Sequence, residues 1–184
     1  MKRLLISALA LAAALPALAG KLADFTDGKG RAGTWSPPRE VVAQPDAEVI
    51  DDAEVSSGKA LKAVTSALQG ERRFSRYDVV VKLEPGEAAK AKKIDFDVRI
   101  GDPKAFGWGG VFFFKEKRGK EHVARVLRRN DFTVGKWQHF SIPVNELVNT
   151  KNTGITADEA GQLVLSFFYY APVEIRVANI EFIE

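Results

Sequence analysis

The chain has no cysteine, only two histidines and a single methionine among 184 residues. Without thiols it can build neither a disulfide framework nor a thiolate site, so stability must come from apolar burial at about 25 cal/mol per Å². The two histidines, His122 and His139, stand apart in sequence, no Gly-x-Ser-x-Gly elbow occurs, and no His-rich metal pattern exists. Serine-hydrolase and zinc-hydrolase chemistry therefore lack their signatures. A surplus of positive charge is missing too. Two of the 27 basic residues are Lys2 and Arg3, and the remaining 25 face 24 acidic residues, which is no footprint for nucleic acid. Beyond the N-terminal segment no apolar run is long enough to span a bilayer.

That N-terminal segment opens Met1-Lys2-Arg3, continues apolar over 4–18 and ends Ala17-Leu18-Ala19. The basic, hydrophobic, small-residue order is that of a signal peptide, residues 1–19, with cleavage after Ala19. As a membrane anchor it is too short, since roughly 15 apolar residues interrupted by Pro16 fall below the about 20 needed. Removing 19 of 184 residues leaves 165, residues 20–184, a length that suits one domain with a substantial core. The mature chain is expected to be secreted or periplasmic, with no membrane span.

What the remainder does contain is a series of short runs rich in Val, Ile, Phe and Tyr, separated by Gly, Pro, Asn and Asp clusters. Such spacing predicts an all-β sandwich of two antiparallel sheets. In Ile94-Asp95-Phe96-Asp97-Val98-Arg99-Ile100 the apolar residues alternate with charged ones, so one face enters the core and the other is wet. Further strands are predicted at 59–65, 74–83, 108–115, 122–127, 137–143, 163–170 and 173–183. Earlier runs at 22–26, 35–42 and 47–50 are interrupted by Pro37, Pro38 and Pro45 and read as bent edge strands. Helix is confined to a turn or two at 144–148 and at 156–160, the latter with Thr156 as N-cap and Glu159 three residues on. Residues 115–120 read as a charged hairpin turn and 149–154 as a polar loop. In the last strand Ile175 and Val177 share one parity while Ile180 and Phe182 share the other, which requires a bulge near Ala178-Asn179.

Several stretches, in order, resemble jelly-roll carbohydrate-binding modules of the galactose-binding-like superfamily. These are Ala23-Asp24-Phe25-Thr26-Asp27-Gly28 with Trp35, Ser57-Gly58-Lys59-Ala60-Leu61-Lys62-Ala63, residues 135–143 around Trp137, and the closing run 173–182. The resemblance implies that 20–184 form a single galactose-binding-like jelly-roll β-sandwich with a carbohydrate as partner. It also brings up the structural calcium of many such modules. Here Thr26 and Ala178 stand where that family usually has carboxylates, leaving Asp24 and Asp27, so no cofactor is expected and a calcium site would lack two customary ligands.

Sugar rings present C–H faces to aromatic side chains and hydroxyls to Asp, Asn, Arg and Gln. Trp137 and Trp35 are read as packing residues. Trp108, within Phe106-Gly107-Trp108-Gly109-Gly110, is the best stacking candidate because glycines give it little cover, although 111–114 is apolar on both parities. Tyr169 and Tyr170 alternate faces, so one of them is available for contact, and Phe167 and Phe168 pose the same alternative. Asp97, Arg99 and Arg125 are the expected hydrogen-bonding residues, drawn from a wider set of Asp95, Arg128 and Asp131 that ordinary solvated surface also explains. No catalytic and no metal-ligating residue is assigned. Paired carboxylates such as Asp95 with Asp97, or Glu116 with Glu121, leave a small glycoside-active enzyme as the weakest reading. An exported assembly protein that binds another protein is the alternative, favoured if 167–170 proves to be an exposed apolar patch.

Overall fold

The computed structural model describes residues 19–23, 30–35, 47–65, 67–68, 74–114, 125–147 and 155–184. Among these residues eleven strands form two antiparallel sheets. They are β1 (Ala19–Ala23), β2 (Gly30–Trp35), β3 (Ala47–Asp51), β4 (Lys59–Val64), β5 (Ser75–Lys82) and β6 (Lys93–Ile100). β7 (Phe106–Phe114), β8 (Arg125–Arg128), β9 (Trp137–Pro143), β10 (Gln162–Tyr169) and β11 (Glu174–Ile183) follow. The first sheet runs β3-β4-β11-β6-β9, with β1 also paired to β11; the second runs β2-β5-β10-β7-β8. β1 and β2 are known here through their backbone pairings. Residues 1–18 of the signal segment, the Asp24–Gly28 stretch, the charged turn at 115–120 and the loop at 149–154 lie outside the described residues.

Alternation explains how the sheets close on each other. In β6 the apolar Ile94, Phe96, Val98 and Ile100 are buried while Asp95, Asp97 and Arg99 are partly exposed, as the sequence predicts. β5 does the same with Tyr77, Val79 and Val81. Facing the β6 residues across the sandwich, in the same sheet as β5, are also Val111 and Phe113 of β7, Leu127 of β8, and Leu163, Leu165 and Phe167 of β10. Each such side chain contributes about 1.5–3 kcal/mol on burial, which replaces the cross-links the chain does not have.

β11 bears the predicted bulge. Its register against β6 shifts between Ala178 and Glu181, and Asn179 there adopts a left-handed φ of 51°. Before the bulge β11 pairs with β4, and after it with β1, so the irregularity sits where the partner strand changes. The Asn179 amide oxygen accepts the Ser57 N–H at 3.1 Å, and its amide nitrogen donates to Asp97. The connection from β3 to β4 thereby lies over the outer face of the first sheet. Asp52 accepts from Arg176 at 3.0 Å, and Val55 packs with Ala60 and Ala178. Burial alone would lower the Arg176 pKa, but hydrogen bonds to Glu174 and Asp52 more than offset it and raise it.

Helix is as scarce as expected: α1 (Val144–Leu147) and two 3-10 turns, Arg129–Asp131 and Ala157–Glu159. The Thr156 N–H donates to the Glu159 carboxylate at 3.2 Å, one arm of the predicted capping box.

Candidate functional site

The two outer faces of the sandwich divide the expected site residues between them. Trp108 lies on β7, in the second sheet, while Asp97 and Arg99 lie on β6, in the first. Both sets point away from the core, so they cannot meet around one ligand. The expectation that they act together is corrected on this point, because spacing along the chain does not say which sheet a strand joins.

On the first sheet the charged residues answer one another. Asp97 accepts from His139 Nδ1 at 2.9 Å, and His139 Nε2 lies 3.6 Å from Asp95. Arg99 pairs with Glu54 at 3.4 Å and Lys62 with Glu48 at 3.0 Å. Trp137 packs half-buried against the small cluster of Val55, Ala60 and Ala178 instead of the main core, with its indole N–H buried and without a partner among the described residues. Among the described residues no group of three or more His, Asp or Glu is arranged to hold a metal ion.

The second sheet carries a different surface. Register aligns Arg76 of β5, Phe168 of β10, Trp108 of β7 and Arg128 of β8 in one row across the strands, with Trp35 of β2 opposite Arg76. Within this row the Trp108 and Phe168 rings stack at 3.9 Å and 16°, and Phe74 tilts against Phe168 at 5.9 Å. The Arg76 guanidinium lies 5.8 Å from the Phe168 centroid, within cation–π range. It is held there by Asp78, whose carboxylate accepts from Arg76 at 2.9 Å and from the Ser166 hydroxyl at 2.6 Å. Asp78 and Ser166 are buried, so this network positions Arg76 from below. Nearby, Tyr77 turns the other way into the core. Burial first, and the Asp78 charge second, push its phenol pKa well above the ordinary value, and its hydroxyl has no partner among the described residues.

Tyr169 and Tyr170 separate as alternation requires. Tyr169 is 1% exposed and belongs to the core, which removes it from the expected ligand-binding set, whereas Tyr170 is 47% exposed. β7 carries an extra residue at this point: Tyr169 pairs with Phe106 and Phe168 with Trp108, leaving Gly107 between them. The Tyr170 ring fills the space a side chain on Gly107 would take, 2.8 Å from an added Cβ, and the Tyr170 N–H donates to Ala105 O at 2.8 Å. The glycine thus makes room for the tyrosine ring at the position preceding Trp108. Arg125 stands opposite Val111, on the parity of buried Leu127 and not that of Trp108, so the register assigns Trp108 a different arginine, Arg128. Arg129, in the turn that follows, donates from Nε to Phe106 O at 3.1 Å, next to Gly107.

The resulting surface joins Tyr170, Trp108, Phe168 and the 53% exposed Phe74, bordered by Arg76, Arg128 and Arg129. Sequence reasoning weighed Arg128 and Phe168 but missed Phe74, Arg76 and Arg129. For Arg76 a signal existed, since it alternates with Tyr77, Val79 and Val81 in the same strand. No helix among the described residues is long and apolar enough to cross a membrane.

No protein-family model and no curated protein sequence matches the chain. Solved structures do. A family 11 carbohydrate-binding module of the cellulosomal cellulase Lic26A-Cel5E of Clostridium thermocellum superposes with a TM-score of 0.58 at 13% identity, over 92% of this chain and 96% of that one. A family 11 module from the same organism, in complex with a β-1,3-1,4-mixed-linked tetrasaccharide, gives 0.55 at 12% identity, over 90% and 95%. The K1 cleaved adhesin domain of Lys-gingipain from Porphyromonas gingivalis W83 gives 0.52 at 11% identity, over 89% and 95%. The two antiparallel sheets are therefore those of the jelly-roll fold that carbohydrate-binding modules have.

Proposed function

We propose that residues 1–19 direct export and that the domain 20–184 is a non-catalytic carbohydrate-binding protein, secreted or periplasmic, that takes a poly- or oligosaccharide on the outer face of its second sheet. The observation that carries this reading is the stacked, partly exposed Trp108, with the exposed Tyr170 packed on the preceding Gly107. Flat apolar rings bordered by hydrogen-bond donors suit a sugar, which offers C–H faces and hydroxyls together. The solved carbohydrate-binding modules of the same fold support the class of ligand. Among the described residues no free pair of carboxylates lies beside those rings, because Asp78 is committed to Arg76 and Ser166, and Asp95 and Asp97 lie on the other sheet. Glycoside hydrolysis would need two acids flanking the bond.

The test is a glycan array read with wild type and Trp108→Ala, with circular dichroism and thermal melting as controls. Trp108→Ala is expected to weaken binding by about tenfold or more, as for a central aromatic contact, while leaving the fold in place. Equal binding by the folded variant, or an array on which wild type binds no glycan, would overturn the reading. The competing assignment, a domain that binds another protein, draws on exposed Phe74 and Tyr170 and on the adhesin domain of the same fold. It gains if wild type ignores glycans and these two residues are needed to retain a protein partner.

A further inference from the structure

The charge on the two outer faces differs in kind. On the first sheet the central cations are matched: Lys62 by Glu48, Arg99 by Glu54, Arg176 by both Asp52 and Glu174. On the second sheet Arg76 is likewise paired, with Asp78, but Arg128 and Arg129 are not. Arg128 and Arg129 are exposed, and neither forms an ion pair with a described residue; the one nearby carboxylate contact, Asp131, accepts from the Arg128 backbone N–H at 2.7 Å and so serves the turn. Arg128 stands directly opposite Trp108 in the register. Directly opposed residues of adjacent strands hold their Cβ atoms about 4.5–5.5 Å apart, so the long arginine arm reaches anything lying on the indole. Arg129, in the turn that follows β8, is anchored two residues before Trp108 by its bond to Phe106 O, leaving its terminal nitrogens free of described partners.

A guanidinium presents parallel N–H donors that match the two oxygens of a carboxylate. We propose that the saccharide bound on this face is a uronic-acid polymer, its ring stacked on Trp108 and its carboxylate taken by Arg128 and Arg129. The inference rests on the carbohydrate reading above and narrows it from sugars in general to anionic ones. The overall charge of the domain is close to balanced, so the attraction is local and involves one or two pairings, unlike the broad field of a polyanion-binding protein.

The experiment measures affinity by calorimetry for polygalacturonate, alginate, neutral mixed-linked β-glucan and a DNA duplex, at about 20 mM and about 0.5 M salt, where screening is weak and strong. Wild type should bind at least one of the two uronic-acid polymers about tenfold more tightly than the neutral glucan at low salt, and the difference should shrink at high salt. The double variant Arg128→Gln, Arg129→Gln should lose about tenfold on the uronic-acid polymer and clearly less on neutral glucan, whose hydroxyls the glutamine amides can still meet. Arg128→Lys, which keeps the charge but not the paired donors, should recover only part of the loss. Neutral glucan bound as tightly as both uronic-acid polymers, with the double variant unchanged, would overturn the inference and leave carbohydrate binding standing. Binding of no polysaccharide would overturn both. DNA bound as tightly as the preferred polymer would replace sugar recognition with unspecific attraction to polyanions.

Discussion

The two glycines that flank Trp108 should respond in opposite ways to the same substitution. A Cβ on Gly107 would lie 2.8, 2.9 and 3.1 Å from Tyr170 Cε2, Cζ and Oη, whereas a Cβ on Gly109 would lie 2.8 Å from the Ser166 carbonyl oxygen and 3.4 Å from Leu127 Cβ and Cδ1. Carbon contacts settle at about 3.5–4.0 Å, so either methyl asks its neighbour to retreat by roughly 0.7 Å or more. Tyr170 can retreat because it is the end of a half-exposed side chain. The Ser166 carbonyl cannot, being part of β10 between two other strands. Gly107→Ala should therefore fold normally, its melting temperature level or slightly raised by the about 0.5–1 kcal/mol that alanine gains over glycine. Gly109→Ala should lose about 1–3 kcal/mol to overpacking. At roughly 2–4 °C per kcal/mol for a domain of this size, its melting point drops by about 2–12 °C. Binding moves the other way: displacing Tyr170 removes an aromatic contact of about 0.5–1.5 kcal/mol, so Gly107→Ala should bind its glycan about twofold to tenfold more weakly. Calorimetry and thermal melting on the two variants decide the matter. An equal fall in melting temperature for both would mean that Tyr170 is pinned, and unchanged binding by Gly107→Ala would mean that its seat lies outside the site.

Two further variants test the packing beneath and opposite this surface. Tyr77→Phe removes a buried hydroxyl without a partner and should raise stability at neutral pH by about 1 kcal/mol in urea titration; a loss of similar size would reveal a bond to that hydroxyl. Because the folded pKa of Tyr77 lies above its unfolded value, wild-type stability is fully present below about pH 10 and declines above it as the unfolded phenol ionises, a decline Tyr77→Phe should lessen. At the bulge, Asn179→Ala should be less stable than Asn179→Gly by about 1 kcal/mol, since both lose the bonds to Ser57 and Asp97 but only alanine is strained at φ 51°. The reverse order would discredit the backbone argument.

What the sequence disclosed followed from period two. The alternation in 94–100 identifies β6 and its wet side, and the parity switch between Val177 and Ile180 locates the bulge to within a residue or two. Strand order is another matter, because it depends on long-range pairings that leave no local trace. For that reason Asp97 and Arg99 were grouped with Trp108 although a whole sandwich separates them. The choice between Tyr169 and Tyr170 turned on the extra residue in β7, and the Phe-Gly-Trp-Gly-Gly run marks a backbone peculiarity without saying which ring uses it. Arg76 and Phe74 leave a fainter trace, because apolar Val80 shares their parity and blurs the alternation of their strand.

β11 has a part in assembly as well as in architecture. It is wedged between β6 on one side and β4 and β1 on the other, none of them its neighbour in sequence, so the first sheet has no local hairpin at its centre around which to nucleate. Until it docks, three strands carry open edges able to join those of another molecule. Closure of such distant pairings is slow, in the range of milliseconds to seconds. The docking of that one segment closes all three edges at once.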